Sequence, residues 1–123
     1  MAQRLLPISR IKRAQKEALL FREIAALFQQ AVFEDQTLTG CFVSRVELST
    51  DKSYCTVFIY IAGGEAAYLK VLDRLKAYKP SLRKAIAHKI PGRYTPDFVF
   101  RFDNKFEKVQ ELEALLERIK LEQ

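Results

Sequence analysis

The chain has one histidine and two cysteines, and neither type forms a cluster. Cys41 and Cys55 stand fourteen residues apart with no Cys-x-x-Cys spacing, which argues against a metal-ligand set or a redox pair. His88 has no serine, cysteine or carboxylate arranged around it in sequence, so nucleophile–base catalysis lacks an inventory. Gly63-Gly64 is too short for a phosphate-cradling loop and reads as punctuation between a strand and a helix. No stretch approaches the ~20 apolar residues of a membrane span, and the first residues lack the apolar run of about 7–15 residues found in secretory signals. These absences predict a cytoplasmic protein with no catalytic residues, metal, cofactor, small-molecule substrate or membrane contact. The most informative gap is one of charge sign. From Lys76 to Arg93, eighteen positions carry six bases (Lys76, Lys79, Arg83, Lys84, Lys89 and Arg93) and no acid. Ordinary surface helices mix signs, so a purely cationic window points to a polyanion.

The 123 residues, 49% hydrophobic and 29% charged, suit one soluble domain with a single core. Net charge is +6 and the pI about 9.4, unevenly spread. Residues 1–22 hold six bases (Arg4, Arg10, Lys12, Arg13, Lys16 and Arg22) against Glu17 alone, whereas residues 103–123 hold six acids against four bases. Three parts are expected: a basic N-terminal arm over residues 1–10, a folded domain over 11–103 and an amphipathic helix over 104–123.

Periodicity predicts the elements. Leu20, Ile24, Leu27, Phe28 and Ala31 recur at helical spacing within residues 11–32. Phe42, Val46 and Leu48 alternate with Arg45, Glu47 and Ser49 as a half-buried strand. After a turn at Thr50-Asp51-Lys52, Cys55, Val57, Ile59 and Ile61 alternate with Tyr54, Thr56, Phe58 and Tyr60. A straight hairpin then places Cys41 near Ile61 and Cys55 near Glu47, about 20 Å apart at ~3.3 Å per residue. That is beyond disulfide reach, and free thiols fit a reducing compartment.

A helix over residues 65–77 turns Tyr68, Val71, Leu72 and Leu75 inward. Tyr78-Lys79-Pro80 reads as a kink, because proline is tolerated in the first turn of a second helix, here over residues 80–90. Leu82, Ala85, Ile86 and Ile90 form that helix's apolar face, and Pro91-Gly92 ends it. Phe98, Phe100 and Phe102 mark the buried face of a third strand. Phe106, Val109, Leu112, Leu116 and Ile119 mark a closing helix, expected to cover the outer sheet face bearing Tyr54, Phe58 and Tyr60. The whole is a two-layer α+β domain, with helices on one face of a three-stranded sheet and an appended C-terminal helix. In KH-type RNA-binding domains such a junction between two helices is a loop that clamps RNA backbone.

An ordered set of segments carries a resemblance. Val43-Ser44-Arg45-Val46-Glu47-Leu48-Ser49 is followed by Asp51 and the strand from Tyr54; then come Leu82-Arg83-Lys84, Arg93-Tyr94-Thr95-Pro96-Asp97, Asp103-Asn104, Leu112-Glu113 and Leu115-Leu116. In these the chain resembles the bacterial ribosome-binding factor A family, and the resemblance implies a type II KH-like domain of α-β-β-α-kink-α-β order. The resemblance implies a monomeric, non-catalytic factor that binds the free 30S subunit and its 16S rRNA. It also implies a role in late maturation and 5′-end processing of that RNA, especially in the cold. The chain departs from the family where Ala-x-Gly is usual at the kink and Tyr78-Lys79-Pro80 stands, and where Ala87-His88 replaces a Gly-Lys pair. Proline has no N–H, so no backbone donation to phosphate is possible at position 80.

The expected RNA-binding residues are Lys76, Lys79, Arg83, Lys84, Lys89 and Arg93, joined by Arg10, Lys12 and Arg13 if the N-terminal cluster folds beside the kink. Two readings stay open beside the assembly factor. One is a protein-interaction adaptor docking through its C-terminal amphipathic helix, and the other is a generic KH-type RNA-binding protein.

Overall fold

The computed structural model describes residues 8–90, 92 and 94–122. In chain order it contains α1 (Ile8–Glu34), a 3₁₀ turn (Gln36–Leu38), β1 (Phe42–Leu48), β2 (Tyr54–Tyr60), α2 (Gly64–Lys89), β3 (Asp97–Phe102) and α3 (Asn104–Leu121). The sheet order is β1-β2-β3, with β1 antiparallel and β3 parallel to the central β2. A parallel neighbour requires a long crossover, and α2 supplies it. None of the helices is long and apolar enough, over the described residues, to cross a membrane.

The core lies between the sheet and two helices. From α1 come Leu20, Ile24 and Phe28, four apart on one stripe; from the strands come Cys55, Val57, Ile59, Phe98, Phe100 and Phe102. Alternation along β2 and β3 is thus what sequence periodicity predicts. Burying a side chain such as Phe98 contributes about 1.5–3 kcal/mol relative to leaving it in water.

Two expectations need correction. The first is the break at Tyr78-Lys79-Pro80: the two expected helices run together as the single helix α2, with Pro80 inside it. The apolar stripe explains the continuity, because Tyr68, Val71, Leu75, Leu82 and Ile86 stay in phase across the proline. Leu75 and Leu82 are seven residues apart, about two helical turns. Pro80 leaves the Lys76 carbonyl without its helical donor, but Lys76 and Pro80 are both exposed, so water can replace it. Tyr78 anchors this stretch to α1, donating its hydroxyl to the Leu27 carbonyl at 3.2 Å and meeting Phe28 edge-on.

The second correction is the hairpin register. Phe42 faces Tyr60 and Val43 faces Ile59, in the straight frame; Ser44 is then extra, and beyond it Arg45 faces Phe58, Val46 faces Val57 and Leu48 faces Cys55. Cys55 therefore opposes Leu48 rather than Glu47. Val43 and Val46 would point to opposite faces of a regular strand, and a one-residue bulge turns both inward. It also turns Phe42 outward, although the alternation had grouped it with Val46 and Leu48. Both cysteines are free and buried. Burial, helped by the charge of Glu17, pushes the Cys55 thiol up to about 12, so it stays protonated.

The bulge also builds the root of α3. Ser44 and the following Arg45 both reach Asp103, the N-cap of α3. Asp103, 2% exposed, accepts from Ser44 Oγ at 2.5 Å, Arg45 Nε at 3.1 Å and the Phe106 N–H at 3.0 Å. Burial pushes its carboxyl up, but these hydrogen bonds outweigh burial and hold it below the ordinary 3.8. Arg45 also pairs with Glu47 and stacks over Phe58, 3.6 Å from the ring centre.

Candidate nucleic-acid interface

The predicted cationic window does not present one uniform face. At about 100° per residue, Lys76, Lys79 and Arg83 fall on one flank of α2, beside the Leu75–Leu82–Ile86 stripe. Lys84 lies farther round, and Lys89 falls back on the line of the stripe. Lys89 lies 3.7 Å from Glu23 of α1. Lys76 is exposed on the flank. Arg93 lies outside the described residues.

Lys79, Arg83 and Lys84 line a groove of about 650 Å³ between the C-terminal half of α2 and the segment entering β3, with Pro80, Ala87, Tyr94, Thr95, Asp97 and Phe98. It continues into a second hollow of about 410 Å³, where Lys16, Asp51, Lys52 and Ser53 join Arg83, Tyr94, Thr95 and Asp97. Five bases therefore meet two acids along one surface. Among the described residues, Lys16, Lys52, Lys79 and Lys84 have no carboxylate within ion-pair distance. Arg83 is partly engaged: its Nη2 donates to the Thr95 carbonyl at 3.3 Å and lies 3.4 Å from Asp97 Oδ1.

Each contributor is held by local structure. The β1–β2 turn is organised around Asp51, whose Oδ1 accepts from Ser53 Oγ, Ser49 Oγ and the Ser53 N–H. Those bonds, from Ser53 first and then Ser49, hold the Asp51 carboxyl down at about 2. Lys52 takes a left-handed conformation, φ 63°, at the tip of this turn. Arg13 Nη1 donates to Thr50 Oγ1 at 3.2 Å, and Lys16 Nζ donates to the Tyr94 carbonyl at 3.4 Å. These contacts join α1 to the β1–β2 turn and to the segment entering β3. Glu17, the one acid of the N-terminal basic cluster, accepts from the Leu48 N–H at 2.9 Å. Arg10 and Lys12 are exposed on the first turns of α1, away from the groove lining.

Lys52 and Tyr94 were not among the expected site residues. A turn tip and a loop far along the chain share no periodicity with α2; the available signals were the place of Tyr94 in the Arg93-Tyr94-Thr95-Pro96-Asp97 segment and that of Lys52 next to Asp51.

A second surface stands apart. The expectation that α3 covers the outer sheet face with Leu112, Leu116 and Ile119 is not met. Only Phe106, in its first turn, stacks there, against Phe42 and Tyr60. No α3 residue is buried; Val109, Leu112, Leu116 and Ile119 are 45–56% exposed. An amphipathic period marks an apolar face without fixing which surface it meets, and beyond Phe106 that face of α3 stays exposed.

The family model for ribosome-binding factor A matches residues 12–116. Among curated proteins named ribosome-binding factor A, that of Clostridium novyi is 31% identical over 100 residues, covering 80% of this chain and 82% of that protein. The Cyanothece protein is 31% identical over 107 residues, covering 86% and 80%. The crystal structure of ribosome-binding factor A from Thermus thermophilus superposes with a TM-score of 0.59 at 30% identity, over 72% of this chain and 93% of that one. A Thermotoga maritima solution structure gives a TM-score of 0.65 at 26% identity, over 80% and 91%.

Proposed function

Because the chain belongs to the ribosome-binding factor A family, a group of ribosome-associated assembly factors with a KH-like fold, we propose that it binds the free 30S subunit by gripping 16S rRNA in the Lys79–Arg83–Lys84 groove. The observation that carries this reading is the convergence of bases from α1, the β1–β2 turn and α2 on one hollow surface. Each phosphate contact releases counterion and gives binding its salt dependence. Bound there, the protein stabilises an immature RNA conformation through differential affinity and so assists late maturation and 5′-end processing. It works as a non-catalytic monomer, in the cytoplasm, with its greatest effect in the cold.

Co-sedimentation with purified 30S subunits, 70S ribosomes and naked 16S rRNA tests the proposal. Lys79→Glu with Lys84→Glu is the appropriate variant, since Arg83 also ties down Thr95 and its loss would confound structure with binding. Selective retention on 30S subunits that this variant loses is the expected result; equal retention of variant and wild type would refute the groove.

The exposed apolar face of α3 favours a second, compatible reading: a protein contact made through Val109, Leu112, Leu116 and Ile119. Truncation after Asn104 would remove the Phe106 N–H that Asp103 accepts, so substitution within α3 is the cleaner test.

A further inference from the structure

The exposed face of α3, Val109, Leu112, Leu116 and Ile119, has a counterpart on α1. There Ile11, Ala14, Ala18 and Phe21 repeat the same spacing and are also exposed, Ile11 at 42% and Phe21 at 38%. A hollow of about 280 Å³ lies between Ala14, Ala18 and Phe21 on one side and Ser44, Arg45 and Val46 of β1 on the other. At about 100° per residue this stripe and Lys16 fall on opposite flanks of the core-facing side of α1, so the stripe lies away from the cationic groove. α3 begins close by, since Arg45 also holds Asp103, yet it leaves the stripe exposed.

Laid antiparallel, the two stripes match residue for residue. Val109 meets Phe21, Leu112 meets Ala18, Leu116 meets Ala14 and Ile119 meets Ile11, so the leucines enter the spaces that the alanines leave. At the flanks Arg10 falls opposite Glu122, and no like charges oppose each other. Pairing α3 with a second α3 in the same manner sets Glu113 against its own copy at the two-fold axis and leaves the α1 stripe bare. The direction suits the fold as well. Arg13 reaches Thr50 and Glu17 reaches Leu48, so α1 runs counter to β1 and its Phe21 end lies by Ser44 and Arg45, where α3 is rooted. Two chains related by a two-fold axis near those roots can each send α3 along the other's α1, from Phe21 towards Ile11.

We propose that the free protein forms a two-fold dimer in which each α3 packs on the α1 stripe of a second copy. One such helix pair is small beside the roughly 1,200–2,000 Å² of a stable interface, and the exchange makes it twice. Off the ribosome, the α3 contact put forward above thus has a second copy of this chain as its partner, and the monomer that binds the subunit arises by dissociation.

Sedimentation equilibrium of the full chain over about 1 μM to 1 mM should show the average mass rising from 14.3 kDa towards twice that. Ala18→Arg and Leu112→Lys, both at exposed positions, should each weaken association about 30-fold or more, the scale of an interface hot spot. Mixed one to one, the two variants should associate more strongly than either alone, because the mixed pair keeps one intact contact between an unaltered α1 and an unaltered α3. Lys79→Glu with Lys84→Glu should dimerise like wild type, so failure of the rRNA groove and failure of the dimer are read separately. A wild-type mass fixed at that of one chain would overturn the dimer. Association that Leu112→Lys abolishes and Ala18→Arg leaves unchanged would overturn it in favour of α3 pairing with α3, and a mixture no more associated than its parts would refute the exchange.

Discussion

Replacing Asp103 tests whether the bulged hairpin and the root of α3 form one polar unit. Asp103→Ala removes an N-cap, worth about 1 kcal/mol, and a charge-assisted hydrogen bond with Arg45, worth about 1.5–3 kcal/mol. The full penalty for orphaning a buried charge does not apply, because Arg45 keeps Glu47 and the Phe58 ring. The expected loss is therefore about 3 kcal/mol. Asn caps nearly as well as Asp, so Asp103→Asn should cost about 1–2 kcal/mol. In urea unfolding, with m of about 1.5 kcal/mol/M, the alanine variant should shift the midpoint by about 2 M and the asparagine variant by roughly half that. A pH series adds a second reading. The folded-state carboxyl is held below its ordinary 3.8, so its stabilisation is complete above that value and is lost as pH falls through the folded value. The wild type should lose more stability than Asp103→Asn on acidification below about pH 4. An alanine variant within about 0.5 kcal/mol of wild type, or an identical acid response in Asp103→Asn, would refute the network.

Two further outcomes follow from the helices. Pro80→Ala should stabilise the protein by about 1 kcal/mol by restoring a donor to the Lys76 carbonyl, read as a rise of about 4 °C in Tm; a fall would mean that the proline is needed for the shape of α2. Leu112→Lys with Leu116→Lys and Ile119→Lys should leave the unfolding free energy within about 0.5 kcal/mol of wild type, since none is buried. That triple variant should still bind naked rRNA while losing affinity for the subunit. Undiminished subunit binding would remove α3 from the interface.

The elements were largely legible because each writes its own period. Cys55, Val57 and Ile59 alternate, Phe98, Phe100 and Phe102 do the same, and Leu20, Ile24 and Phe28 repeat every four residues. Failures came where one residue changes the phase or where tertiary packing overrides a local breaker. Ser44 is one extra residue, indistinguishable in sequence from a regular strand position, yet it moves Phe42 out and Val43 in. Pro80 is a breaker by local rule, but the stripe from Leu75 to Leu82 keeps the helix whole. For α3, the pattern reveals an apolar face and says nothing of what meets it.

The groove was half legible for a related reason. Lys79, Arg83 and Lys84 are close in sequence, so their charge is visible as a run. Their companions are not: Lys16 is reached through the Tyr94 carbonyl, and Lys52 through the turn that Asp51 organises. The outward aromatic side chains Phe58 and Tyr60 are occupied within the protein, one under Arg45 and the other against Phe106.

The most direct measurement is the salt dependence of 30S binding for wild type and for Lys79→Gln with Lys84→Gln, over roughly 50 to 200 mM salt. Neutralising two phosphate contacts should reduce the slope of log affinity against log salt by about 1.4–1.8, and weaken binding about 15- to 30-fold near 0.15 M. A slope and affinity unchanged from wild type would contradict the claim that this groove holds the RNA.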